Sequence, residues 1–266
     1  MKLLIDADSP LYRAGCANET RSYLCTQGGH LVQEFKYKKD AVAYATEHGC
    51  DIEKHKEAGA VGLSLHNLRQ CVKSMLSIEH DSYEMYTGGK GNFRYDYFKE
   101  YKGTRDPFDK PIHMKQMKKH LQAKYGAIPV DGEEVDDKVS YRQVQCIAEG
   151  IESCIVTNDK DLNNTMGWHF NWVKGETFYL TAEEADLNFH RQLLTGDWQV
   201  DGIPGLAGVG GVTAAKLLPE YSDNMLDIVK EEYFNRGHDI EYLTMNGIML
   251  WMRRKPDEIW SINRES

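Results

Sequence analysis

Over roughly the first 180 residues, short apolar runs alternate with amphipathic segments, and several of the runs stop on an acid. Leu3-Leu4-Ile5 ends at Asp6, and a helix-like segment Leu11–Cys16 follows. Tyr23–Cys25 and Leu31–Phe35, parted by Gly28-Gly29, predict a β-hairpin, with a short helix over Asp40–Glu47 behind it. In Leu63–Leu76 the apolar positions Leu65, Leu68, Val72, Met75 and Leu76 recur at helical spacing, and Ser82–Tyr86 reads as a strand. A long amphipathic helix is expected around Asp109–Tyr125, a short strand over Ala127–Val130, and a helix over Glu133–Glu149 with apolar Val135, Val139, Val144, Ile147 and Ala148. Ser153–Thr157 reads as a buried strand that again runs into acids, and His169–Val173 with Thr177–Leu180 around Gly175 predicts a second hairpin. After Thr181 the pattern is helical only. This alternation predicts an α/β fold, a mainly parallel central sheet flanked by helices on both faces. The expected layout is a core over 1–180, a hairpin insertion near 21–60 that carries no chemistry, a basic helical stretch near 88–125, and a helical region over 181–266.

Composition removes some classes. No apolar stretch is long enough to span a bilayer, and the start, MKLLIDADS, meets acids too soon for a secretory signal. The six cysteines, Cys16, Cys25, Cys50, Cys71, Cys146 and Cys154, form no CxxC pair and read as reduced core residues, so a cytoplasmic protein without structural zinc is expected. A net charge of −9 at first argues against a nucleic-acid partner. The charges are segregated, however. Lys90, Arg94, Lys99, Lys102, Arg105, Lys110, Lys115, Lys118, Lys119 and Lys124 crowd one stretch, and Asp131, Glu133, Glu134, Asp136 and Asp137 follow it. Two solvated helix faces would explain each block singly; together they fit an enzyme that holds a polyanion over bound metal.

The segment Thr195–Leu218 sharpens that reading. Asp197 and Asp201 precede a glycine-rich turn that reads as a helix–hairpin–helix over 202–219. In such a turn the backbone N–H groups at Gly205, Gly208 and Gly210 can grip a phosphate without reading a base. Lys216 is the nearest cation. In a parallel sheet the strand ends would bring Asp6, Glu134, Asp136, Asp137, Asp159, Asp161, Asp197 and Asp201 to one edge. Two like charges 4 Å apart repel by about 4 kcal/mol even at an effective dielectric near 20. Either several carboxyls stay protonated or divalent cations fill the site, and oxygen-only donors select Mg²⁺ or Mn²⁺. Asp131 and Glu133 are read instead as ordinary helix-start acids.

The order LIDADSPLYRA, GNFRYDYFKEYKGTR, GEEVDDKV, VTNDKDL, LTGDWQVDGIPGLAGVGGVTAAKLL resembles the 5′-nuclease superfamily, over Met1 to about Leu218. That superfamily includes flap endonucleases, the 5′-nuclease domain of bacterial DNA polymerase I and bacteriophage 5′–3′ exonucleases. With no polymerase region and the form GGKGNFR, the chain is similar to a stand-alone phage exonuclease. The resemblance implies a PIN-like 5′-nuclease core and a Mg²⁺-dependent 5′–3′ exodeoxyribonuclease with 5′-flap endonuclease capacity. It further implies two Mg²⁺ per site with Mn²⁺ able to substitute, and a monomer in a host cytoplasm. The partner would be DNA with a 5′ end or flap and duplex downstream. By matching motif it makes Asp6, Glu134 and Asp136 ligands of a first metal, and Asp159, Asp161, Asp197 and Asp201 ligands of a second, with Asp137 behind them. Lys102, Arg105 and Arg94 are similar to the basic gateway residues that hold the scissile phosphate. Arg94 and Lys102 would share a face if the helix between them were unbroken. Tyr97, Phe98 and Tyr101 suit either base stacking or core packing, whereas Met114, Met117 and Leu121 suit packing.

Three departures from the family pattern stand out. Thr87 occupies the place of a strand-end Asp, so one first-metal ligand is missing or supplied elsewhere, with Asp8 nearby. The Asp197–Asp201 spacing is one residue longer than usual, and Val212 replaces a usual Lys. Two other readings stay open: a metal-dependent ribonuclease, RNase H-type or PIN-like, and a catalytically impaired DNA-binding relative.

Overall fold

Leu3, Leu4 and Ile5 are fully buried because β1 (Lys2–Asp6) lies inside a sheet with a strand on each side. The computed structural model describes residues 1–219 and 224–263. After β1 come α1 (Asp8–Cys16), β2 (Glu19–Gln27), β3 (His30–Phe35), α2 (Lys38–His48), β4 (Asp51–Ala58) and α3 (Val61–Met75). They are followed by β5 (Ser82–Gly88), the single turn α4 (Arg94–Tyr97), α5 (Met114–Tyr125), β6 (Ile128–Val130) and α6 (Val135–Ala148). The chain then forms β7 (Ser153–Thr157), β8 (Gly167–Asn171), β9 (Glu176–Leu180), α7 (Ala182–Thr195), α8 (Gly211–Leu217), α9 (Met225–Asn235) and α10 (Ile240–Leu250). Among the described residues no helix is long and apolar enough to cross a membrane.

The chain divides into two packed units. One contains residues 1–9, 73–105 and 122 onward, and holds a six-stranded sheet ordered β6-β5-β1-β7-β8-β9. All its neighbours are parallel except β8 and β9, as the alternating pattern predicts. From β1 the chain builds outward to β5 and β6, then returns to β7 on the opposite side of β1. That reversal opens a crevice at the carboxyl ends of the strands, where open α/β sheets bind ligands. Asp6 ends β1 and Thr157 ends β7, one on each lip. Behind the crevice, Val135, Val139 and Cys146 of α6 pack on Leu4, Tyr86, Val130 and Ile155 of the sheet.

A second core in the same unit gathers Phe189, Leu193 and Leu194 of α7 with Tyr233, Leu243 and the rings of Trp251 and Trp260. The expectation of helix alone after Thr181 is corrected here. Beyond α10, residues 251–263 form no helix, yet Trp251 packs edge-to-face and Trp260 tilted against Phe189, with ring centroids 4.8 and 5.8 Å away. Residues 220–223 and 264–266 of the expected 181–266 region lie outside the described residues. The turn before α8 is also different from a hairpin between two short helices. It is entered from the 14-residue α7, and Asp197 pairs with Ile203 across it.

The other unit contains residues 10–72 and 106–121. Its antiparallel sheet is ordered β3-β2-β4, so the predicted hairpin gains a third strand. β4, DIEKHKEA, escapes the sequence pattern because it is mostly exposed and carries no apolar alternation. The basic stretch is not one long helix. Pro107–Asp109 is a single 3₁₀ turn capped by Asp106, Pro111 follows, and α5 starts only at Met114. Met114, Met117 and Leu121 are buried, as their spacing implies.

Candidate active site

Asp6 is almost fully buried; its Oδ1 accepts the Asp8 N–H at 2.9 Å and its Oδ2 the Thr157 hydroxyl at 3.1 Å. Burial, with the charges of Asp8 and Asp159 added, pushes its carboxyl up to about 7. Across the crevice, the first turn of α6 presents Asp136, whose carboxyl is raised well above the usual range by burial and by Asp6, Asp159 and Glu134. β7 ends in the turn that carries Asp159 and Asp161, where Asp159 Oδ1 accepts the Asp161 N–H at 3.0 Å. Gln192 of α7 donates to Asp161 Oδ1 at 2.9 Å. Burial, Asp159 and Asp197 lift the Asp161 carboxyl to about 7, and burial and Asp201 raise that of Asp197.

One pocket is lined by Lys102, Arg105, Glu134, Asp136, Asp159, Asp161, Asp197 and Asp201. Seven of the residues picked from the sequence as ligands or gateway cations thus meet around Glu134. Two of the acids already carry cationic partners. Lys102 Nζ bonds Glu134 and stands 3.9 Å from Asp201, while Arg105 reaches Asp201 Oδ1 at 2.5 Å. The Tyr101 hydroxyl lies 3.0 Å from Glu134 and 3.1 Å from Asp201, so its single proton serves one of them at a time. Burial opposes ionisation of Glu134, but Lys102 and Arg94 outweigh it and hold its carboxyl below the usual range. Among the described residues no three acids, histidines or cysteines are drawn together into a ready-made cation cage. The acids stand spread around the pocket, their charge met in part by Lys102 and Arg105.

Arg94 is not on the basic face with Lys102. α4 ends after one turn, Phe98 leaves the helix with φ −143°, and Lys102 takes a left-handed φ of 56°. Arg94 is fully buried and holds Asp137 from both guanidinium nitrogens. Asp137 Oδ2 also accepts the Glu134 N–H at 3.3 Å, which completes the N-terminal cap of α6. Asp131 and Glu133 do not cap that helix either. Asp131 accepts the Lys90 N–H at 2.6 Å, and Glu133 pairs with Arg253 at 2.8 Å.

Gly205, Gly208 and Gly210 lie along the turn into α8, and Lys216 stands in the last turn of that helix. Gly205 and Gly208 both have positive φ, 56° and 76°, and the exposed Val212 stands where a cation was expected. Tyr101, weighed as a stacking or core residue, is buried and also bridges two acids. Gln192 and Asn92, which donates to Glu134 at 2.8 Å, were missed. Neither amide carries a local signal; only the fold brings α7 and the 88–93 loop to the acids.

No protein-family model matches the chain. Over 201 residues, 66% of its length, it is 26% identical to DNA polymerase I of Bacillus caldotenax, of which it spans 22%. Over 160 residues, 53% of its length, it is 25% identical to the flap endonuclease Xni of Pectobacterium atrosepticum, of which it spans 61%. In fold it is similar to the bacteriophage T5 flap endonuclease in a pseudo-enzyme-product complex with DNA and metal ions. That match has a TM-score of 0.56 at 13% identity and covers 94% of this chain and 89% of the other. In sequence the chain resembles the 5′-nuclease superfamily, and its fold is that of a PIN-like 5′-nuclease.

Proposed function

We propose that the chain is a Mg²⁺-dependent 5′–3′ exodeoxyribonuclease that also cuts 5′ flaps. The observation that carries this reading is the meeting of six acids from three segments with Lys102 and Arg105 in one pocket, in a chain similar to flap endonucleases. The donors fit a hard cation: they are oxygen only, and Asp6, Asp136, Asp161 and Asp197 are held protonated more readily than usual by burial and mutual repulsion that a cation would relieve. Asp6, Glu134 and Asp136 would hold one ion, and Asp159, Asp161, Asp197 and Asp201 the other. When bound, such a pair supplies an activated water and stabilises the leaving oxygen.

The remaining work falls to the chain itself. Lys102 and Arg105, which here neutralise Glu134 and Asp201, are the cations within reach to turn to a scissile phosphate. Their value there lies in meeting charge that grows as the bond breaks. Backbone N–H groups of the turn at Gly208 and Gly210, with Lys216, grip the phosphates of the duplex downstream of the cut, whereas the Gly205 N–H expected to join them is buried and donates to Asn246 Oδ1 at 3.1 Å. Asp137 and Arg94 hold α6 in place from behind.

The test is cleavage of 5′-labelled flap, nicked and blunt DNA duplexes and of an RNA–DNA hybrid, each with Mg²⁺ and with EDTA. Products from DNA 5′ ends or flap junctions in Mg²⁺ alone are expected. Binding without Mg²⁺-dependent product would make the chain a DNA-binding relative, and cutting confined to the RNA strand would make it a ribonuclease.

A further inference from the structure

At the carboxyl end of β5, Thr87 is fully buried and its hydroxyl oxygen has no hydrogen-bond partner among the described residues. The residue after it, Gly88, donates its N–H to Asp8 Oδ1 at 3.0 Å. Asp8 in turn donates its own N–H to Asp6 Oδ1 at 2.9 Å. One carboxylate oxygen of Asp8 is thereby anchored across the ends of β1 and β5. The other has a place made for it. Gly88 does not have a positive φ, so its backbone has no need of glycine. A Cβ there would nevertheless come 2.6 Å from Asp8 Oδ2. The missing side chain is therefore a matter of space for that oxygen.

Resting on the metal-dependent reading above, we propose that Asp8 supplies a carboxylate to the first cation, beside Asp6 and Asp136, at the strand end where Thr87 offers none. Anchoring alone does not account for an acid at this position. An asparagine would accept from Gly88 equally well and would not set a second charge against Asp6, whose Oδ1 takes the Asp8 N–H. A charge held against another at the carboxyl ends of β1 and β5 is a liability without a cation and a ligand with one.

The experiment is Mn²⁺ binding to the full chain without DNA, read from the electron paramagnetic resonance of free Mn²⁺. It is paired with thermal unfolding in EDTA. Asp8→Asn keeps an acceptor for Gly88 and removes the charge. It is expected to weaken one Mn²⁺ site by about tenfold or more, the scale on which metal sites answer to loss of a supporting group. Unfolding in EDTA should hold or rise. Gly88→Ala keeps the charge but displaces Oδ2, and it is expected to weaken the same site. Asp227→Asn, an exposed acid on α9, should leave Mn²⁺ binding as in the wild type. Wild-type Mn²⁺ affinity in Asp8→Asn overturns the assignment, as does a weakening matched by an equal loss of stability in EDTA, which would make Asp8 structural. If the unaltered chain binds no Mn²⁺, the metal-dependent reading itself fails.

Discussion

Arg94 and Asp137 form a buried ion pair, with one guanidinium nitrogen donating to Asp137 Oδ1 at 2.9 Å and the other to Oδ2. Arg94 also donates to the carbonyls of Met249 and Trp251, at 2.9 and 2.8 Å. Four acceptors from two distant segments thus meet one cation in a place water does not reach. Since Asp137 caps α6, the pair fixes the helix whose first turn presents Glu134 and Asp136.

Removing Arg94 should therefore act on stability. Arg94→Ala strands the Asp137 charge and two carbonyls, and a broken buried pair costs about 3–5 kcal/mol. Arg94→Lys should recover only part of that, because an ammonium cannot span both carboxylate oxygens and the carbonyls as a planar fork does. Urea unfolding of the three proteins checks this. Wild-type stability in Arg94→Ala, with a loss confined to turnover, would return Arg94 to the role of a phosphate contact.

Lys102 is expected to behave in the opposite way. It sits at the pocket on Glu134, whereas Lys118 belongs to α5. Loss of one group that stabilises transition-state charge costs about 10²–10³ in rate. Lys102→Ala should lower single-turnover cleavage at saturating DNA by at least about tenfold, and Lys118→Ala should barely change it. Equal, small effects on rate in the two variants would reduce the basic stretch to an electrostatic footprint.

The two glycines of the turn should fail differently. A Cβ on Gly205 would come 2.3 Å from the Gly196 nitrogen and 2.5 Å from the Thr195 carbonyl carbon, so Gly205→Ala should unfold the turn. At Gly208 nothing lies within 4 Å, and the only penalty is the positive φ, about 1–2 kcal/mol. Gly208→Ala should leave a folded protein whose affinity for DNA falls alike for all sequences, since backbone contacts carry no base information. Circular-dichroism melts and binding to two unrelated duplexes separate the cases. Sequence-selective loss in Gly208→Ala would mean that the turn reads bases.

His169 of β8 predicts an acid-side loss of stability. Its Nε2 lies 2.8 Å from the Thr165 carbonyl, which makes Nε2 the protonated nitrogen and leaves Nδ1 buried without a partner among the described residues. Burial pushes the imidazole down to about 4. Its folded value is below its unfolded value, so the unfolded chain takes up the proton first. The contribution is intact above about pH 6.5 and is lost as pH falls toward 4. The whole effect is about 3 kcal/mol. His169→Asn should flatten this part of the profile of stability against pH. An unchanged slope between pH 6.5 and 4 would assign the loss to other groups.

The sheet and the acids at its edge were legible along the chain because they obey local rules. A strand buried on both faces must be a short apolar run, as in Ser153–Thr157, and a helix packed on one side repeats its apolar residues as Val135 and Val139 do. Acids immediately after such strands fall at the sheet's carboxyl edge whatever else the fold does. β4 was illegible for the converse reason. It is a mostly exposed strand held by backbone pairing to β2, which leaves no mark on side-chain pattern.

The charge of a residue was decided by the sequence, and its use only by the tertiary structure. Arg94, Lys102 and Arg105 look alike along the chain, but a helix that stops after one turn sends Arg94 into the core and the other two to the pocket. What holds Arg94 in the core is a set of contacts with Asp137, Met249 and Trp251, which are 43, 155 and 157 residues away. The same holds for Tyr101, Gln192 and Asp8, whose partners are set by how separate segments meet. Local sequence settles periodicity, turn chemistry and the order of the motifs. Hydrogen-bond partners across the fold exist only once the chain has closed on itself.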